Sequence, residues 1–472
     1  MLMHGGSTTK IAFYTLGCKL NQAETESMAA SFEKAGFQIV SSRDVADIYV
    51  ANTCTVTHVA DRKSRHWLRM SRRRNADALT VATGCYAQRV PQELASIADL
   101  VVGNDGKEHL LELIEGFSPT QGDSAAEAKR SFETRASCSG AGILAPCHSE
   151  GVQRLKNLRG QMPGQAEVVQ HRVSDGNTRV RSLIKIQDGC CSHCAYCIVP
   201  KVRPGEYSLP VPEVIEEIRE RVARGYREVV LTGTKIGCYG NDGVKLRELV
   251  ECILRDTSIE RLHLSSLQPQ EICPEFVALW QNERLCRHFH LALQSGCDAV
   301  LGRMRRRYSR EDYLEMVNLI VREIPGAAIT TDIIVGFPGE SEEEFEQNYR
   351  FCQQLGLANI HVFPFSPRPD TEAAGMSNQV DDRTKKERVS RMLELAQRCR
   401  HDFCERFLGQ TVRVLWEKEM RVGGGVYSGL TDNYIRVFAQ SAEPLTNKMA
   451  MVRLLRFHNQ AVWGELVGES PD

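Results

Sequence analysis

The chain has 472 residues, of which 42% are hydrophobic and 25% are charged, and its formal net charge is −1. This length allows roughly three domains, each with its own core, and the composition is that of an ordinary globular protein. A net charge so near zero excludes nucleic-acid binding through overall charge, so any such binding must come from local basic patches.

The opening residues, MLMHGGSTTK, contain no apolar segment of the kind that a secretory signal needs. No run approaches the ~18 apolar residues of a membrane span. We therefore expect a cytoplasmic protein without membrane contact. The 17 cysteines are an odd number scattered over a long chain, which argues against a disulfide framework in a reducing compartment. Clustered cysteines are candidates for metal ligands, and isolated ones behave as small buried hydrophobes.

Residues 8–117 are predicted to form a parallel α/β domain, because β-prone runs alternate with amphipathic stretches. Three of these runs end in a cysteine: KIAFYTLGC at Cys18, ADIYVANTC at Cys54 and ALTVATGC at Cys85. Ligands of open parallel sheets bind at the carboxyl edge of the strands. The three cysteines are therefore predicted to converge in space although they lie far apart in sequence.

A dense basic segment, DRKSRHWLRMSRRRN, occupies residues 61–75. One hypothesis is that it binds RNA phosphates, and the alternative is an ordinary solvated helix face. The lopsided cluster in a nearly neutral chain favours RNA contact. The candidate RNA-binding residues are Arg62, Lys63, Arg65, Arg72, Arg73 and Arg74.

Residues 118–180 change character, because Ser, Gly, Gln, Ala and Glu dominate and hydrophobic periodicity disappears. We predict a flexible linker or insertion with at most a short helix. Cys138 and Cys147 lie in this segment and are interpreted as incidental thiols.

From 181 to 408 the alternation of strands and helices returns, with six strand-like runs from RSLIKIQ to NIHVFPFS. This pattern favours a mainly parallel sheet closed into a partial (β/α) barrel, whose active edge lies at the strand C-termini. Residues 409–469 alternate apolar with polar residues between glycine-containing turns, which predicts a small OB-like β-barrel.

The segment DGCCSHCAYCIVP, residues 188–200, holds four cysteines within eight residues. Read from Cys191, the spacing is C-x2-C-x2-C, but a ferredoxin would need a further cysteine where Lys201 stands. A zinc site would need a second C-x2-C knuckle, which does not follow. Read from Cys190, the spacing is C-x3-C-x2-C, and three thiolates leave one iron of a [4Fe–4S] cluster open to a substrate or cofactor. Tyr196 would place an aromatic face beside that cluster.

In this second register the segment resembles the signature of radical S-adenosylmethionine (radical SAM) enzymes. YTLGCKLNQAETE, NTCTVTHVADRKSR and ATGCYAQ, with TDIIVGFPGESEEEF later in the chain, resemble the methylthiotransferase family of that class. The C-terminal segment resembles the family's RNA-binding TRAM domain. LGCKLNQAE and TVTHVADRKSR look most like the bacterial enzymes that act on threonylcarbamoyladenosine (t6A) in tRNA.

The resemblance implies two [4Fe–4S] clusters, one held by Cys18, Cys54 and Cys85 and the other, which cleaves S-adenosylmethionine, by Cys190, Cys194 and Cys197. It places Thr232, Gly233, Gln294, Ser295 and Gly336 in the S-adenosylmethionine pocket, and strand position adds His361. The implied reaction installs a methylthio group at C2 of adenosine 37, in the anticodon loop of tRNA. One S-adenosylmethionine donates the methyl group, and another is cleaved to a radical that takes the C2 hydrogen. A low-potential electron donor such as flavodoxin or ferredoxin is expected, and the sulfur donor stays open.

Three alternatives remain at this point: methylthiolation of N6-isopentenyladenosine 37, methylthiolation of a ribosomal-protein aspartate, and a non-catalytic iron–sulfur protein that binds RNA. The chain also departs from the family after the cysteine loop. VRPGEYSLP stands where the family commonly has an arginine-rich ARGxxRSR pattern, although Arg203 and Ser208 are retained. Contacts to S-adenosylmethionine or to RNA phosphate are expected to differ there.

Overall fold

The computed structural model describes residues 8–116, 143–144, 171–172, 180–458 and 460–468. The predicted linker 118–180, with Cys138 and Cys147, therefore lies outside the described residues apart from residue 180 and two short strands. The described chain divides into two compact units. Unit 1 contains residues 8–116, 143–144, 171–172 and 198–204, and unit 2 contains 180–197 and everything described from 205 onward.

Unit 1 is an α/β sheet with helices on both faces. Its strands are β1 (Lys10–Thr15), β2 (Gln38–Val40), β3 (Ile48–Thr53), β4 (Leu79–Gly84), β5 (Leu100–Val102), β6 (Ile143–Leu144) and β7 (His171–Arg172). Its helices are α1 (Lys19–Lys34), α2 (His58–Arg74), α3 (Cys85–Arg89), α4 (Pro91–Ala95) and α5 (Leu110–Gly116), with a 3-10 helix at Asn104–His109 and a short helix at Val199–Val202.

The strand order of this sheet is β2-β1-β3-β4-β5-β6, and the first five strands are parallel. β6 pairs antiparallel with β5, and β7 pairs antiparallel with β1. Alternate residues of β3 face opposite layers: Val50 packs with Phe32 of α1, and Tyr49 packs with Trp67 of α2. This alternation explains why both helices bind the same sheet.

Unit 2 begins with a partial barrel. Its strands are β8 (Arg181–Asp188), β9 (Tyr207–Ser208), β10 (Glu228–Gly233), β11 (Gly240–Asn241), β12 (Val244–Lys245), β13 (Arg261–Leu264), β14 (Ser266–Leu267), β15 (His288–Leu291), β16 (Ala328–Val335) and β17 (Asn359–Pro364). Its helices are Val211–Ala223, Leu246–Asp256, Pro274–Val277, Asp298–Arg303, Arg310–Glu323, Glu342–Gln354, Glu372–Gly375 and Asp382–Glu405, with 3-10 helices at Ile236–Cys238, Pro269–Glu271 and Ala278–Gln281.

These strands form two four-stranded sheets, β13-β10-β8-β9 and β14-β15-β16-β17, and a separate two-stranded sheet, β11-β12. An isolated bridge links Leu262 of β13 to Leu285, which precedes β15. All six predicted runs are strands, and the pairs between them are parallel. The run RLHLSSL is divided between β13 in one sheet and β14 in the other. The outward residues pack in one core with the flanking helices, and they include Ile184, Val229, Leu262, Phe289, Ile333 and Val362.

The C-terminal segment is a closed five-stranded barrel, as predicted. Its strands are β18 (Thr411–Glu419), β19 (Val426–Thr431), β20 (Arg436–Gln440), β21 (Met449–His458) and β22 (Ala461–Leu466), in the order β18-β19-β20-β22-β21. Trp416 is fully buried in its core, and Tyr427 is 7% exposed. None of the helices in the described ranges has the length and apolar content that a bilayer crossing requires.

Candidate metal centres

The three cysteines of unit 1 lie at one edge of its sheet. Cys18 caps α1 after β1, Cys54 follows β3 directly, and Cys85 begins α3 after β4. β1, β3 and β4 are neighbouring parallel strands, and their register aligns Thr15 with Asn52 and Thr53 with Gly84. The predicted convergence of the three strand ends is therefore present in the structure.

Two glycines permit this close approach. Gly17 and Gly84 precede Cys18 and Cys85 and have φ values of 110° and 96°, which side chains rarely adopt. A Cβ on Gly17 would lie 2.9 Å from the Cys54 Sγ, and one on Gly84 would lie 2.4 Å from the Thr53 carbonyl oxygen. The Gly-Cys pairs of LGC and TGC are thus a geometric requirement of the site.

A buried charge network surrounds these cysteines. The Arg203 guanidinium donates to the Cys85 Sγ at 3.4 Å, to Glu24 at 2.8 Å and to the Asn21 Oδ1 at 3.0 Å. Lys107 also pairs with Glu24, and Arg203 and Lys107 are each only 5% exposed. Two buried basic side chains thus share one carboxylate close to the cysteines, and burial lowers the pKa of Lys107 while Glu24 opposes that shift.

Cys54 and Cys85 are buried, whereas the residue Cys18 is exposed. Desolvation by the surrounding protein raises the pKa of the Cys18 thiol, Arg203 opposes that shift and Cys85 adds to it. Burial also raises the pKa of Cys54, to which both neighbouring cysteines contribute. Buried thiolates need compensating positive charge, which Arg203 and a metal cluster with three cysteine ligands would supply together.

The second cysteine group lies in the loop after β8. The Cys190 Sγ accepts a hydrogen bond from the Ser192 N–H at 3.4 Å, and the Cys194 Sγ accepts one from Arg306 at 3.4 Å. Cys191 is exposed, whereas Cys190, Cys194 and Cys197 are half-buried. This difference supports the C-x3-C-x2-C register, and the ligand roles themselves remain a prediction.

Arg306 is a residue of this site that sequence analysis did not single out. It belongs to a basic run at 303–309, whose neighbouring Arg303 pairs with Glu344. Its guanidinium lies 4.8 Å from the centre of the Tyr308 ring, and its Nε donates to the Tyr308 hydroxyl at 2.9 Å. Burial raises the pKa of Tyr196, and Arg306 opposes that shift. Tyr196 of the loop and Arg306 and Tyr308 of the 303–309 run thus place a positive charge and two aromatic rings near Cys194.

The residues predicted for the S-adenosylmethionine pocket lie mainly at the carboxyl edge of the same strands. Thr232 and Gly233 end β10, where a register shift brings Gly233 opposite Gln187. A Cβ on Gly233 would lie 2.6 Å from the Gln187 carbonyl oxygen. Gln294 and Ser295 follow β15, and Ser295 is fully buried.

Gly336 follows β16 with a φ of 72°, and its N–H donates to Glu340 at 2.6 Å, so Glu340 supports this turn. His361 differs from the others because it lies within β17 instead of at a strand end. Its ring centre is 5.5 Å from that of His290. The structure therefore places His361 inside the partial barrel, at some distance along its strand from the carboxyl edge.

The basic residues of helix α2 are of two kinds, half-buried and exposed. Arg65, Arg72 and Arg74 are half-buried and contact Glu93, Asp99 and the Ser42 carbonyl oxygen respectively. Arg62, Arg69 and Arg73 are exposed, as is His66, and their spacing forms one stripe along the helix. Trp67 stacks on Tyr14 at 4.7 Å in the core. Only part of the predicted patch is therefore available to a ligand.

Comparison with known proteins agrees with this architecture. Residues 184–352 match the Radical SAM superfamily, and residues 10–103 match the family described as Uncharacterized protein family UPF0004. A solved structure of the radical S-adenosylmethionine methyltransferase TsrM from Kitasatospora setae has a TM-score of 0.53 at 18% identity, covering 78% of this chain and 74% of that one. The fold and the cysteine loop define a radical SAM protein.

Two curated relatives narrow the class. The threonylcarbamoyladenosine tRNA methylthiotransferase MtaB of Aquifex aeolicus is 38% identical over 91% of this chain and 96% of its own length. The tRNA-2-methylthio-N(6)-dimethylallyladenosine synthase of Moorella thermoacetica is 30% identical over 96% of this chain and 97% of its own length. The chain belongs to the methylthiotransferase family of radical SAM enzymes, on the threonylcarbamoyladenosine tRNA branch.

Proposed function

We propose that this protein adds a methylthio group to C2 of N6-threonylcarbamoyladenosine at position 37 of tRNA. The observation that carries this proposal is the pair of three-cysteine sites, one at the strand ends of unit 1 and one in the loop after β8. A methylthiotransferase needs both: one site for radical chemistry and one for sulfur. The name of the Aquifex aeolicus relative supports the tRNA substrate.

The proposal assigns Cys190, Cys194 and Cys197 to one [4Fe–4S] cluster and Cys18, Cys54 and Cys85 to another. When bound, these clusters and S-adenosylmethionine supply reductive cleavage, sulfur and a methyl group, which acid–base side chains do not provide. Arg306 would stabilise the Cys194 thiolate, and Arg203 would stabilise that of Cys85. The hydrogen bonds from Ala195 N–H to the Met304 carbonyl oxygen (3.1 Å) and from Ala373 N–H to the Ala195 carbonyl oxygen (2.8 Å) hold the cysteine loop in place.

The predicted S-adenosylmethionine contacts Tyr196, Thr232, Gly233, Gln294, Ser295 and Gly336 are part of the same proposal. His361, which the sequence added to this set, lies within β17 instead of at a strand end and is left out of it. Glycine is required at Gly233 and Gly336 because a Cβ there would lie 2.6 Å from the Gln187 carbonyl oxygen and 2.5 Å from the Lys385 Cγ, so both strand ends keep their close packing. A low-potential electron donor such as flavodoxin or ferredoxin would supply the electron for cleavage. A tRNA substrate also implies a cytoplasmic enzyme.

Methylthiolation of N6-isopentenyladenosine is the second candidate, and the Moorella thermoacetica relative favours it by its name. Its identity of 30% is lower than the 38% of the threonylcarbamoyladenosine enzyme. The two candidates share the chemistry and differ only in the group on N6, so the product distinguishes them.

The test is mass spectrometry of nucleosides from total tRNA of a host that lacks its own methylthiotransferases, with and without this chain. We expect methylthio-threonylcarbamoyladenosine only when the chain is expressed. A variant with Cys190→Ala, Cys194→Ala and Cys197→Ala is the control and should give none. A methylthio-isopentenyladenosine product would instead establish the second candidate. No product from a protein that contains both clusters would refute the proposed activity.

A further inference from the structure

The two faces of the partial barrel differ sharply in chemistry. Outward residues such as Ile184 and Val229 belong to the hydrophobic core under the helices. Side chains alternate along each strand, so the residues between them face the interior. On the interior face stand Lys185, His263, His288, His290, Asp332 and His361, which are ionisable, together with the apolar residues Leu183, Val230, Ile334 and Phe363. A barrel interior filled only for packing would be lined by branched apolar side chains.

The lower part of this interior is closed by hydrogen bonds. The His263 Nε2 lies 2.8 Å from the His288 Nδ1, and the Tyr434 hydroxyl lies 2.8 Å from the His263 Nδ1. His263 is fully buried, and Tyr434 stacks on His288 at 4.6 Å. These side chains bond the C-terminal barrel to the two sheets. They close the interior at the amino-terminal end of the strands, and we call this closed end the floor.

The upper part is open to water. The side chain of His290 is 15% exposed and that of Asp332 32% exposed, and His361 is exposed. Lys185 on β8 has a side chain that is 23% exposed. Exposure therefore increases toward the carboxyl edge of the strands, where the loop with Cys190 begins. The opening and the cysteine loop share this edge of unit 2.

Three side chains at this level lie together, namely His290, Asp332 and His361, and Lys185 on β8 faces the same interior, with its Nζ 3.6 Å from the Asp188 Oδ2. We name these three residues and Lys185 the lumen cluster. The His290 Nε2 lies 3.2 Å from the Asp332 Oδ2, and the His290 Nδ1 lies 3.0 Å from the Thr330 Oγ1. Asp332 and His361 are register partners on β16 and β17. The cluster thus combines nitrogen donors with a carboxylate acceptor on the part of the interior face that is exposed to water.

We propose that the lumen cluster binds the N6 substituent of the substrate nucleoside and selects a polar substituent that carries a carboxylate. This inference rests on the proposed function and deepens it. The threonylcarbamoyl group has a carboxylate, a urea and a hydroxyl. Lys185 and His361 would donate to the carboxylate, and Asp332 would accept from a urea N–H or the hydroxyl.

An isopentenyl group would fit this cluster poorly. It offers no polar atom, so the side chains that it covers would lose water and gain no partner. Sites built around hydrogen bonds reject analogues that lack the matching groups far more strongly than apolar pockets reject polar isosteres. The lumen cluster therefore gives a structural reason for the threonylcarbamoyl substrate that is independent of sequence identity.

The test uses the full chain reconstituted with iron and sulfide, S-adenosylmethionine, and three anticodon stem-loop RNAs. Position 37 of these RNAs carries threonylcarbamoyladenosine, its carboxyl methyl ester, or isopentenyladenosine. Binding is measured by fluorescence anisotropy at fixed salt, and product by nucleoside mass spectrometry. We expect the wild type to bind the acid about 10- to 100-fold more tightly than the ester, since a charge-assisted hydrogen bond is lost. The isopentenyl RNA should bind at least as weakly as the ester.

The variants Lys185→Met and His361→Leu should bring the acid-to-ester ratio of affinities close to one. His401→Leu is the matched control, because His401 is exposed on the helix Asp382–Glu405 and belongs to no proposed site. A misfolded variant would also give a ratio close to one, so each variant counts only if its circular dichroism spectrum and iron content match those of the wild type. Should a variant fail to fold, the wild-type ratio alone supports or overturns the selection of a carboxylate.

A wild-type ratio near one, an equal affinity for the isopentenyl RNA, or variants that keep the wild-type ratio would overturn the inference. Those results could occur while the wild type still forms methylthio-threonylcarbamoyladenosine, in which case the proposed function stands. Absence of a methylthio product from the acid RNA would contradict the proposed function itself.

Discussion

At the scale of single residues, the adjacent pair Cys190 and Cys191 presents two thiols in different surroundings. The Cys190 Sγ accepts the Ser192 N–H, whereas Cys191 is exposed and only its backbone N–H is tied, to Glu206 at 3.1 Å. Cys191→Ala should therefore retain both clusters and S-adenosylmethionine cleavage, measured as iron per chain and 5′-deoxyadenosine formed. Cys190→Ala should lose cleavage and about half of the iron, which is one cluster of two.

If the two variants exchange these results, the cluster uses the C-x2-C-x2-C register. The matched comparison is sharp because both substitutions remove the same atom from neighbouring residues.

Arg203 provides a second prediction at this scale. Its guanidinium is one of two buried cations on Glu24 and also reaches the Cys85 Sγ. Arg203→Met should lower the free energy of unfolding by about 3 kcal/mol, because it removes buried hydrogen bonds to Glu24, the Asn21 Oδ1 and the Cys85 Sγ and leaves these acceptors short of a donor, while Lys107 still pairs with Glu24. It should also lower the iron bound per chain toward one cluster. Urea denaturation and iron analysis measure the two effects.

Arg203→Lys keeps the positive charge but loses the planar guanidinium group. Its free energy of unfolding and its iron content should therefore lie between those of the wild type and of Arg203→Met. Arg255→Met removes an exposed arginine of unit 2 and should match the wild type in iron content. Full iron in Arg203→Met would show that the guanidinium is dispensable for the cluster.

The partners of Arg203 could not be predicted from sequence. The patterns LGC, NTC and TGC locate the cysteines, because each follows a recognisable strand. Glu24 and Arg203, in contrast, lie 179 residues apart, and no periodicity connects them. Residues 198–204 belong to unit 1 although they follow the first strand of unit 2, and a linear division of the chain misses such a segment.

At the scale of elements, helix α2 carries two kinds of arginine: some are half-buried and held in contacts within unit 1, and others are exposed and free to meet a ligand. The sequence indicated six basic candidates, but ion pairs and the Ser42 carbonyl oxygen hold three of them. The triple variant Arg62→Gln, Arg69→Gln and Arg73→Gln should weaken binding of an anticodon stem-loop RNA. The slope of log affinity against log salt should fall by roughly 2, since each lost phosphate contact removes about 0.7 to 0.9.

The matched control removes three exposed arginines elsewhere: Arg255→Gln, Arg322→Gln and Arg383→Gln, whose side chains are 68%, 68% and 89% exposed. It changes net charge equally and should leave the slope near the wild-type value. An equal loss in both triple variants would mean that overall charge, and not α2, determines affinity.

The strands of unit 2 were predictable because short β-prone runs alternate with helical stretches over residues 181–408. The split of RLHLSSL into β13 and β14 was not, because both halves have the same pattern and only pairing partners separate them. The sequence also could not show that His263 and His288 bond to each other in the closed end of the interior, whereas His290 is partly exposed to water. That difference depends on how far each residue lies from the C-terminal barrel.

At the scale of the whole molecule, unit 2 is joined internally by buried polar contacts between the C-terminal barrel and the sheets. Arg261 donates to the carbonyl oxygens of Leu430 at 2.9 Å and Thr431 at 2.6 Å. The Tyr434 hydroxyl donates to Glu228, which is fully buried. These bonds satisfy groups that would otherwise be buried without partners, so the barrel and the sheets should unfold together.

Tyr434→Phe tests this coupling, since it removes one hydroxyl from between Glu228 and His263 and keeps the ring. We expect the free energy of unfolding to fall by about 1 to 3 kcal/mol, the cost of leaving buried polar groups unsatisfied.

Hydrogen-exchange mass spectrometry should show peptides of β18–β22 losing protection before those of β8–β17. In the wild type both sets should lose protection together. Tyr207→Phe removes an exposed hydroxyl and is the control, because Tyr207 is 57% exposed. If the barrel already exchanges independently in the wild type, the buried contacts do not couple the two parts, and the floor of the lumen would be a mobile surface instead of a fixed one.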